Sequence, residues 1–294
     1  MAQQKVELRK IRDFSENLND TFAFIQQNLK PLVGSFLALA GIFLLASSII
    51  SGIYQSRMGG ILKDLLSGGG SYVGSPLSIF SGTYFLVIIL SWLSVCAMQT
   101  AIISYMKVYE MKGKQPAEIE EVWNVFKTNY LKVLLYTIPV YLLIIVGFLF
   151  CFLPGIYFGV VLMPFPVILV VEDQTFSGAF NRCFAIIKQN FWSSLLLYFV
   201  VYLIYGISSG IISLVMAGIA GTISYLTTND VGSTIGIVTS VLSALSFVFY
   251  VIFYVSVTLH YYSLTEKFDG TGMLQRLDAL GNSGNDFNNI QEQY

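Results

Sequence analysis

The stretch Leu32–Tyr54, LVGSFLALAGIFLLASSIISGIY, decides the fold. It carries no charged residue, and roughly 17–25 mostly apolar residues are what an α-helix needs to cross about 30 Å of hydrocarbon. A helix suits that solvent because it satisfies its own backbone N–H and C=O groups. Working outward, five further segments have the same character: Ile79–Met106, Val133–Phe152, Gly155–Val171, Trp192–Gly218 and Ser233–Tyr261. The fourth is short and follows a Leu153-Pro154-Gly155 turn. The expected fold is all-α, a polytopic membrane bundle of six transmembrane helices.

Composition agrees with that reading. The chain has 294 residues, 55% hydrophobic, 15% aromatic and 11% charged, with a mean hydropathy of +0.70. A soluble domain carries about 25% charged residues, and one buried core cannot absorb this much apolar surface. An ordinary soluble enzyme is thereby excluded. A net charge of −1 gives no reason to expect nucleic acid as a partner. Cys96, Cys151 and Cys183 form no CxxC pair, and His260 is the only histidine. The three cysteines are expected to be buried free thiols, and no cofactor or metal site is expected.

Charge along the chain sets an expected orientation. Of the 16 Lys and Arg residues, all but Arg57 and Lys63 fall on the side shared by both termini. Basic residues favour the cytoplasmic side, so both termini are expected there. Residues 1–31 mix Lys5, Arg9, Lys10, Arg12 and Lys30 with Glu7, Asp13, Glu16 and Asp20 and hold no apolar signal core. The first span is therefore expected to stay as an anchor. The layout is a helix-bearing segment 1–31, a six-span membrane domain 32–269, and a polar tail 270–294, whose part from Gly281 reads as disordered. The loop Ser67–Ser75 reads as a flexible outer connector.

Three segments on the basic side share a pattern: Phe22-Ala-Phe-Ile-Gln-Gln-Asn28, Trp123-Asn-Val-Phe-Lys-Thr-Asn129 and Phe184-Ala-Ile-Ile-Lys-Gln-Asn190. Each leads into a span, which predicts three units of amphipathic helix plus membrane hairpin. Ile11, Phe14, Leu18, Phe22, Ile25 and Leu29 recur at helical spacing and predict one apolar face. Ile119, Val122, Phe126 and Tyr130 do so near 116–130, and Phe176, Phe180, Phe184, Ile187 and Phe191 near 175–191. Such faces rest either on the protein's own spans or on lipid or a partner. Asn28, Asn129 and Asn190 read as helix terminators in the left-handed conformation, with a ligand role as the alternative.

Inside the spans the notable feature is what is missing. No Asp, Glu, Lys or Arg falls between Lys132 and Glu172, or between Lys188 and Asp230. Ion-coupled transporters and intramembrane catalysts ordinarily need such groups. Pro139 is expected to kink the third span, and Pro164 and Pro166 to break the fourth; broken helices sometimes frame a substrate site. Gly206 and Gly210, Ala217 and Gly221, and Gly232 and Gly236 stand four apart, a spacing that lets helices approach closely. Packing within the bundle is one reading of them, contact with another subunit the other. Tyr136, Tyr141, Tyr157, Tyr198, Tyr202 and Tyr205 read as interfacial anchors or interhelical hydrogen-bonding groups.

The run Phe152-Leu-Pro-Gly-Ile-Tyr157, Pro164-Phe-Pro-Val-Ile168, Glu172-Asp173 and Ser177-Gly-Ala-Phe-Asn-Arg-Cys-Phe-Ala-Ile-Ile-Lys-Gln-Asn-Phe-Trp192 resembles the glycerophosphodiester phosphodiesterase membrane-domain family and related six-span bacterial membrane proteins. The resemblance is most specific over about residues 115–200. It implies a bacterial inner-membrane location. In some members the module precedes a soluble catalytic barrel; this chain shows none after its last span, so no phosphodiesterase activity is carried over. Glu172, Asp173 and Arg182 are its suggestive positions, with a salt-bridged corner at helix ends as the plainer reading. The expectation is a non-enzymatic scaffold or subunit whose partners are membrane lipids and other membrane-protein subunits. The alternative is a transporter or channel for a small or lipid-like substrate. An intramembrane enzyme would require Glu172, Asp173, Arg182 and His260 to converge.

Overall fold

The computed structural model describes residues 5–66, 81–227 and 244–270. The loop 67–75, the Gly232 and Gly236 pair, the start of the sixth span and the tail beyond Gly270 lie outside the described residues. Among the described residues every regular element is helical: α1 (Phe14–Leu66), α2 (Gly82–Met111), α3 (Ile119–Phe150), α4 (Phe152–Val161), α5 (Phe165–Val171), α6 (Phe176–Ile187), α7 (Phe191–Thr227) and α8 (Tyr250–Asp269). Short 3-10 turns at Lys188–Asn190 and Ala244–Phe249 lead into α7 and α8. Six helical stretches are long and apolar enough to cross a membrane, with α4 and α5 together forming the fourth.

Three helices are largely enclosed by the others. α2, α5 and α8 form the interior. α2 is buried from Cys96 through Met106, α5 from Phe165 through Val170, and α8 from Phe253 through Glu266. Around them α1, α3 and α7 turn large apolar side chains outward, such as Ile42 and Leu45, Leu149 and Phe150, and Leu203 and Leu214. In water such a surface would aggregate; in hydrocarbon it costs nothing.

α1 has 53 residues, roughly 80 Å at 1.5 Å per residue, which is more than one crossing requires. It bends at Asn28, which leaves helical geometry at φ −117°, ψ 15°. The cause lies three residues downstream. Pro31 lacks an N–H, and its ring crowds the carbonyl of Gln27, so the preceding turn opens. Asn28 then seals the opening: its Nδ2 donates to the Phe24 carbonyl at 3.0 Å, and its Oδ1 accepts from the Tyr105 hydroxyl at 3.1 Å.

The other asparagines depart further from expectation. α3 runs unbroken through Asn129, which is buried and donates to the Val125 carbonyl. Helix and third span are thus one element, because nothing between Thr128 and Leu131 removes a backbone donor. Asn190 closes the 3-10 turn before α7. None of the three is left-handed; among the described non-glycine residues only Lys114 and Asp173 have positive φ.

Proline has mixed effects. α3 continues through Pro139 as a single helix. The fourth span is interrupted at Leu162–Pro164, with Pro164 capping α5 and Pro166 in its first turn. The α3–α4 turn is not Leu153-Pro154-Gly155, which forms the start of α4. It is the single extended residue Cys151, at φ −166°, ψ 143°. Cys151 is also exposed, whereas Cys96 and Cys183 are buried.

The predicted face of the first amphipathic segment holds in part: Phe14, Leu18 and Ile25 pack against the core. Ile11, Phe22 and Leu29 are exposed, while Asn17, Thr21, Phe24 and Asn28 face the core. Most of the inward polar atoms are engaged: Thr21 donates to the Asn17 carbonyl within α1, and Asn17 Oδ1 accepts from Ser256 at 2.8 Å, while Asn17 Nδ2 has no partner among the described residues. A periodicity rule made for water places apolar groups inside; next to hydrocarbon the polar groups seek the interior instead. The second and third stripes pack as expected through Val122 and Phe126, and through Ile187 and the stacked Phe176–Phe180 pair.

The α3–α4 hairpin depends on two glycines. A Cβ on Gly155 would lie 2.4 Å from the Phe148 ring, and one on Gly147 would lie 3.1 Å from the Gly155 Cα. Gly155→Ala is therefore expected to lose about 1–3 kcal/mol, seen as a lower melting temperature in detergent. Gly41→Ala, where a Cβ meets nothing within 4 Å, is expected to be neutral or slightly stabilising. Equal melting temperatures for Gly155→Ala and the parent would contradict this packing.

Candidate functional site

The ion pairs among the described residues gather at one end of the bundle, and the residues before α1 hold that end together. Lys5–Asp13 is an irregular segment whose Val6 and Leu8 side chains enter the core. Tyr109 donates to the Val6 carbonyl at 3.2 Å, and the Arg12 amide donates to Ser263 Oγ at 2.8 Å. The Arg12 side chain has no exposed surface. Its Nε pairs with Asp20 at 2.8 Å, and its terminal nitrogens donate to the carbonyls of Glu7, Leu8 and Lys10. One guanidinium thus curls the segment on itself and fastens it to α1. A five-donor planar group suits this task, whereas an ammonium would not.

Two carboxylates then tie the helix ends together. Glu110 on α2 pairs with Arg9 and accepts from the Tyr262 hydroxyl at 2.6 Å. Glu172, after α5, accepts from Arg182 Nε at 3.1 Å and from the Tyr261 hydroxyl at 2.7 Å. Arg182 also pairs with Asp269 at the end of α8. Adjacent tyrosines on α8 therefore reach two carboxylates on different neighbours. Asp173 takes another direction, bridging Lys107 at 3.3 Å and Lys132 at 3.4 Å, while Lys107 also donates to the Val170 carbonyl at 2.7 Å.

Of the predicted corner, Glu172 and Arg182 meet, and Asp173 serves a separate lysine pair. His260 has its own partner, Ser194 Oγ at 2.8 Å from Nε2, and its ring packs edge-on against Tyr198. Glu172 and Arg182 thus pair with each other, while Asp173 and His260 each have separate partners. Asn190 joins this end as well, accepting from Lys267 at 2.8 Å. Among the described residues no group of three His, Cys, Asp or Glu side chains could hold a metal ion.

A second feature lies at the break in the fourth span. A cavity of about 210 Å³ is lined by residues of α3, α4, α5 and α8, including Thr137, Tyr141, Leu162, Pro166 and Tyr254. Its wall contains no carboxylate, ammonium or guanidinium. Beside it Gln99 on α2 is fully buried; Tyr254 donates to its Oε1 at 2.8 Å, and its Nε2 has no protein partner. Sequence reasoning missed Gln99, Tyr254, Glu110, Arg12 and the Tyr261-Tyr262 pair. A lone amide inside the run Ile79–Met106 was the available signal for the first of these.

Asp173 gives a pH-dependent test. Burial alone would raise its carboxyl, but Lys107 and Lys132 outweigh burial and hold it below the usual carboxylate range. A depressed carboxyl contributes stability above its ordinary value and loses it as pH falls through the lowered one. Asn tolerates the positive φ of 52°, so Asp173→Asn isolates the charge. The variant is expected to melt slightly below the parent at pH 7, with the gap closing in acid; a gap that widens in acid would contradict the assignment. Arg182→Ala, which strands Glu172 and Asp269, is expected to cost about 1–3 kcal/mol in the same melting assay.

No family model, curated protein or solved structure matches the chain.

Proposed function

We propose that this chain is a non-enzymatic integral membrane protein, a scaffold or subunit that works by contacting other membrane proteins or lipids. The observation that carries the reading is the outer face of α7. Gly206 and Gly210 sit one turn apart there, and a Cβ on either meets nothing within 4 Å among the described residues. Of the two readings of this spacing, packing within the bundle and contact with another subunit, their position favours the second: both face outward beside exposed Ile207, Ile211 and Leu214. Small residues four apart on an exposed helix allow the close backbone approach that associates helices in lipid. The engagement of Glu172, Asp173 and Arg182 in ion pairs supports a structural role for that corner.

The finer parts of the reading belong with it. We read the location as a bacterial inner membrane, supported by the resemblance over residues 152–192, and the orientation as both termini cytoplasmic, supported by the distribution of Lys and Arg. It is organised as three amphipathic-helix-plus-hairpin units and related to the glycerophosphodiester phosphodiesterase membrane domain, supported by the sequence run over residues 152–192. A second reading, a transporter or channel for a small or lipid-like substrate, is favoured by the cavity beside Pro166. Substrate-dependent flux in liposomes that is lost in Pro164→Ala/Pro166→Ala would promote it.

Native mass spectrometry from mild detergent tests the main reading, together with disulfide cross-linking of Gly206→Cys and Gly210→Cys variants. The expected result is a second chain or retained lipid, with cross-links through α7 and loss of the complex in Gly206→Leu/Gly210→Leu. A strictly monomeric, lipid-indifferent protein would contradict it.

A further inference from the structure

The cations of the charged end are not all matched by carboxylates. A cavity of about 310 Å³ lies there, lined by Lys5, Gln27, Asn28, Tyr109, Lys114 and Pro116. It sits where α1 bends, against the end of α2 and the connection to α3. Its wall holds two ammonium groups and no carboxylate. Lys5 has no ion-pair partner among the described residues. Lys114 has a loose one, Glu7 at 3.5 Å, in a pair whose side chains are 42% and 39% exposed. The neighbouring Glu110 is already engaged by Arg9 and Tyr262. The Tyr109 hydroxyl is committed to the Val6 carbonyl, Gln27 Oε1 accepts from the Val6 amide, and Asn28 is bonded to Phe24 and Tyr105. The two cations therefore set what the cavity recognises. Lys114 is held there at a cost. Its backbone is left-handed at φ 68°, directly after Gly113 at φ 63°, and its amide donates to the Tyr109 carbonyl at 3.0 Å. Glycine or asparagine fits that conformation more readily than lysine. A cation kept in a disfavoured conformation at a cavity wall points to a use for its charge.

We infer that this cavity binds the phosphate group of an anionic phospholipid, such as phosphatidylglycerol, between the ammonium groups of Lys5 and Lys114. Two like charges facing one partly enclosed space are unfavourable without a counter-ion, and a phosphate supplies it. A lysine ammonium is a compact point charge suited to a phosphate oxygen. A neutral occupant would leave both charges uncompensated, and a cation would be repelled. The surroundings favour a lipid over a free ion. Leu29, next to Asn28, and Met111, between Tyr109 and Lys114 in the chain, are exposed apolar side chains. Cationic and apolar groups exposed together belong to a surface at headgroup depth, where basic pockets between the ends of spans hold acidic headgroups. The bend at Asn28 sets the cavity at the junction of the amphipathic part of α1 with its span. The inference deepens the lipid arm of the proposed function and rests on that reading.

The test is native mass spectrometry of the full chain from mild detergent, with equal amounts of phosphatidylglycerol and phosphatidylethanolamine added. The expected result is preferential retention of phosphatidylglycerol, weakening as salt is raised. Lys5→Gln and Lys114→Gly are each expected to weaken retention about tenfold, in line with one lost charge-assisted hydrogen bond. Glycine suits the left-handed backbone at position 114, so Lys114→Gly is expected to melt no lower than the parent, which separates lost binding from lost folding. Lys127→Gln removes an exposed lysine of α3 outside the cavity and is expected to change nothing. An equal loss in Lys127→Gln, or retention unchanged in Lys5→Gln/Lys114→Gly, would overturn the site. Inorganic phosphate that displaces the lipid at equal concentration would overturn its assignment to a lipid. Complexes cross-linked through α7 with no preference for phosphatidylglycerol would defeat this inference and leave the scaffold reading standing. Phosphatidylglycerol held through both lysines by a chain that forms no complex through α7 would defeat the subunit reading and leave the site standing.

Discussion

The architecture depends on one electrostatic constraint: an ion costs several kcal/mol to place in hydrocarbon, and a neutral polar group can be satisfied there by its own helix. Every ion pair among the described residues joins groups at one end of the bundle, from Arg9–Glu110 and Arg12–Asp20 to Arg182–Asp269. Along the spans, hydroxyls bond back to their own helices. Thr100 donates to the Cys96 carbonyl, Thr137 to Val133, Thr258 to Tyr254 and Ser194 to Asn190. Such groups need no partner from outside their helix, and the helices can pack through them without a fixed charge.

The charged end behaves as a clasp. Arg12 folds the leading segment against α1, Glu110 and Glu172 draw α2 and α5 to the two tyrosines of α8, and Arg182 and Lys267 attach α6 and the turn before α7. Partly buried carboxylates with several donors each are worth more than isolated surface pairs. This end thus ties α1, α2, α6, α8 and the residues after α5 together, while α1, α3 and α7 spread apolar side chains outward elsewhere.

Much of this was legible in the sequence, and the limits have physical causes. The six spans were visible because hydropathy reports directly on transfer into hydrocarbon. The break at Pro164 was visible because proline acts locally. The bend in α1 was expected at the right residue for the wrong reason, since Asn28 yields to Pro31. The buried face of α1 was read only in part because Asn17 and Asn28 find partners on α8 and α2 that no single helix reveals. The Arg12 clasp and the Gln99–Tyr254 bond join residues far apart along the chain, so no local pattern could show them.

The central claim is that charge is kept to the ends of the bundle, with its ion pairs gathered at one of them, and that the membrane interior of this protein offers only neutral groups. Electron cryo-microscopy of the protein in a lipid nanodisc tests it most directly, because headgroup planes and ordered water become visible together. The account expects Glu110, Glu172, Arg182 and Lys132 in a single headgroup layer, with the Gln99 region dry or occupied by an uncharged molecule. A carboxylate or amine at the middle of the slab, or a file of water joining Glu172 to Gln99, would contradict it.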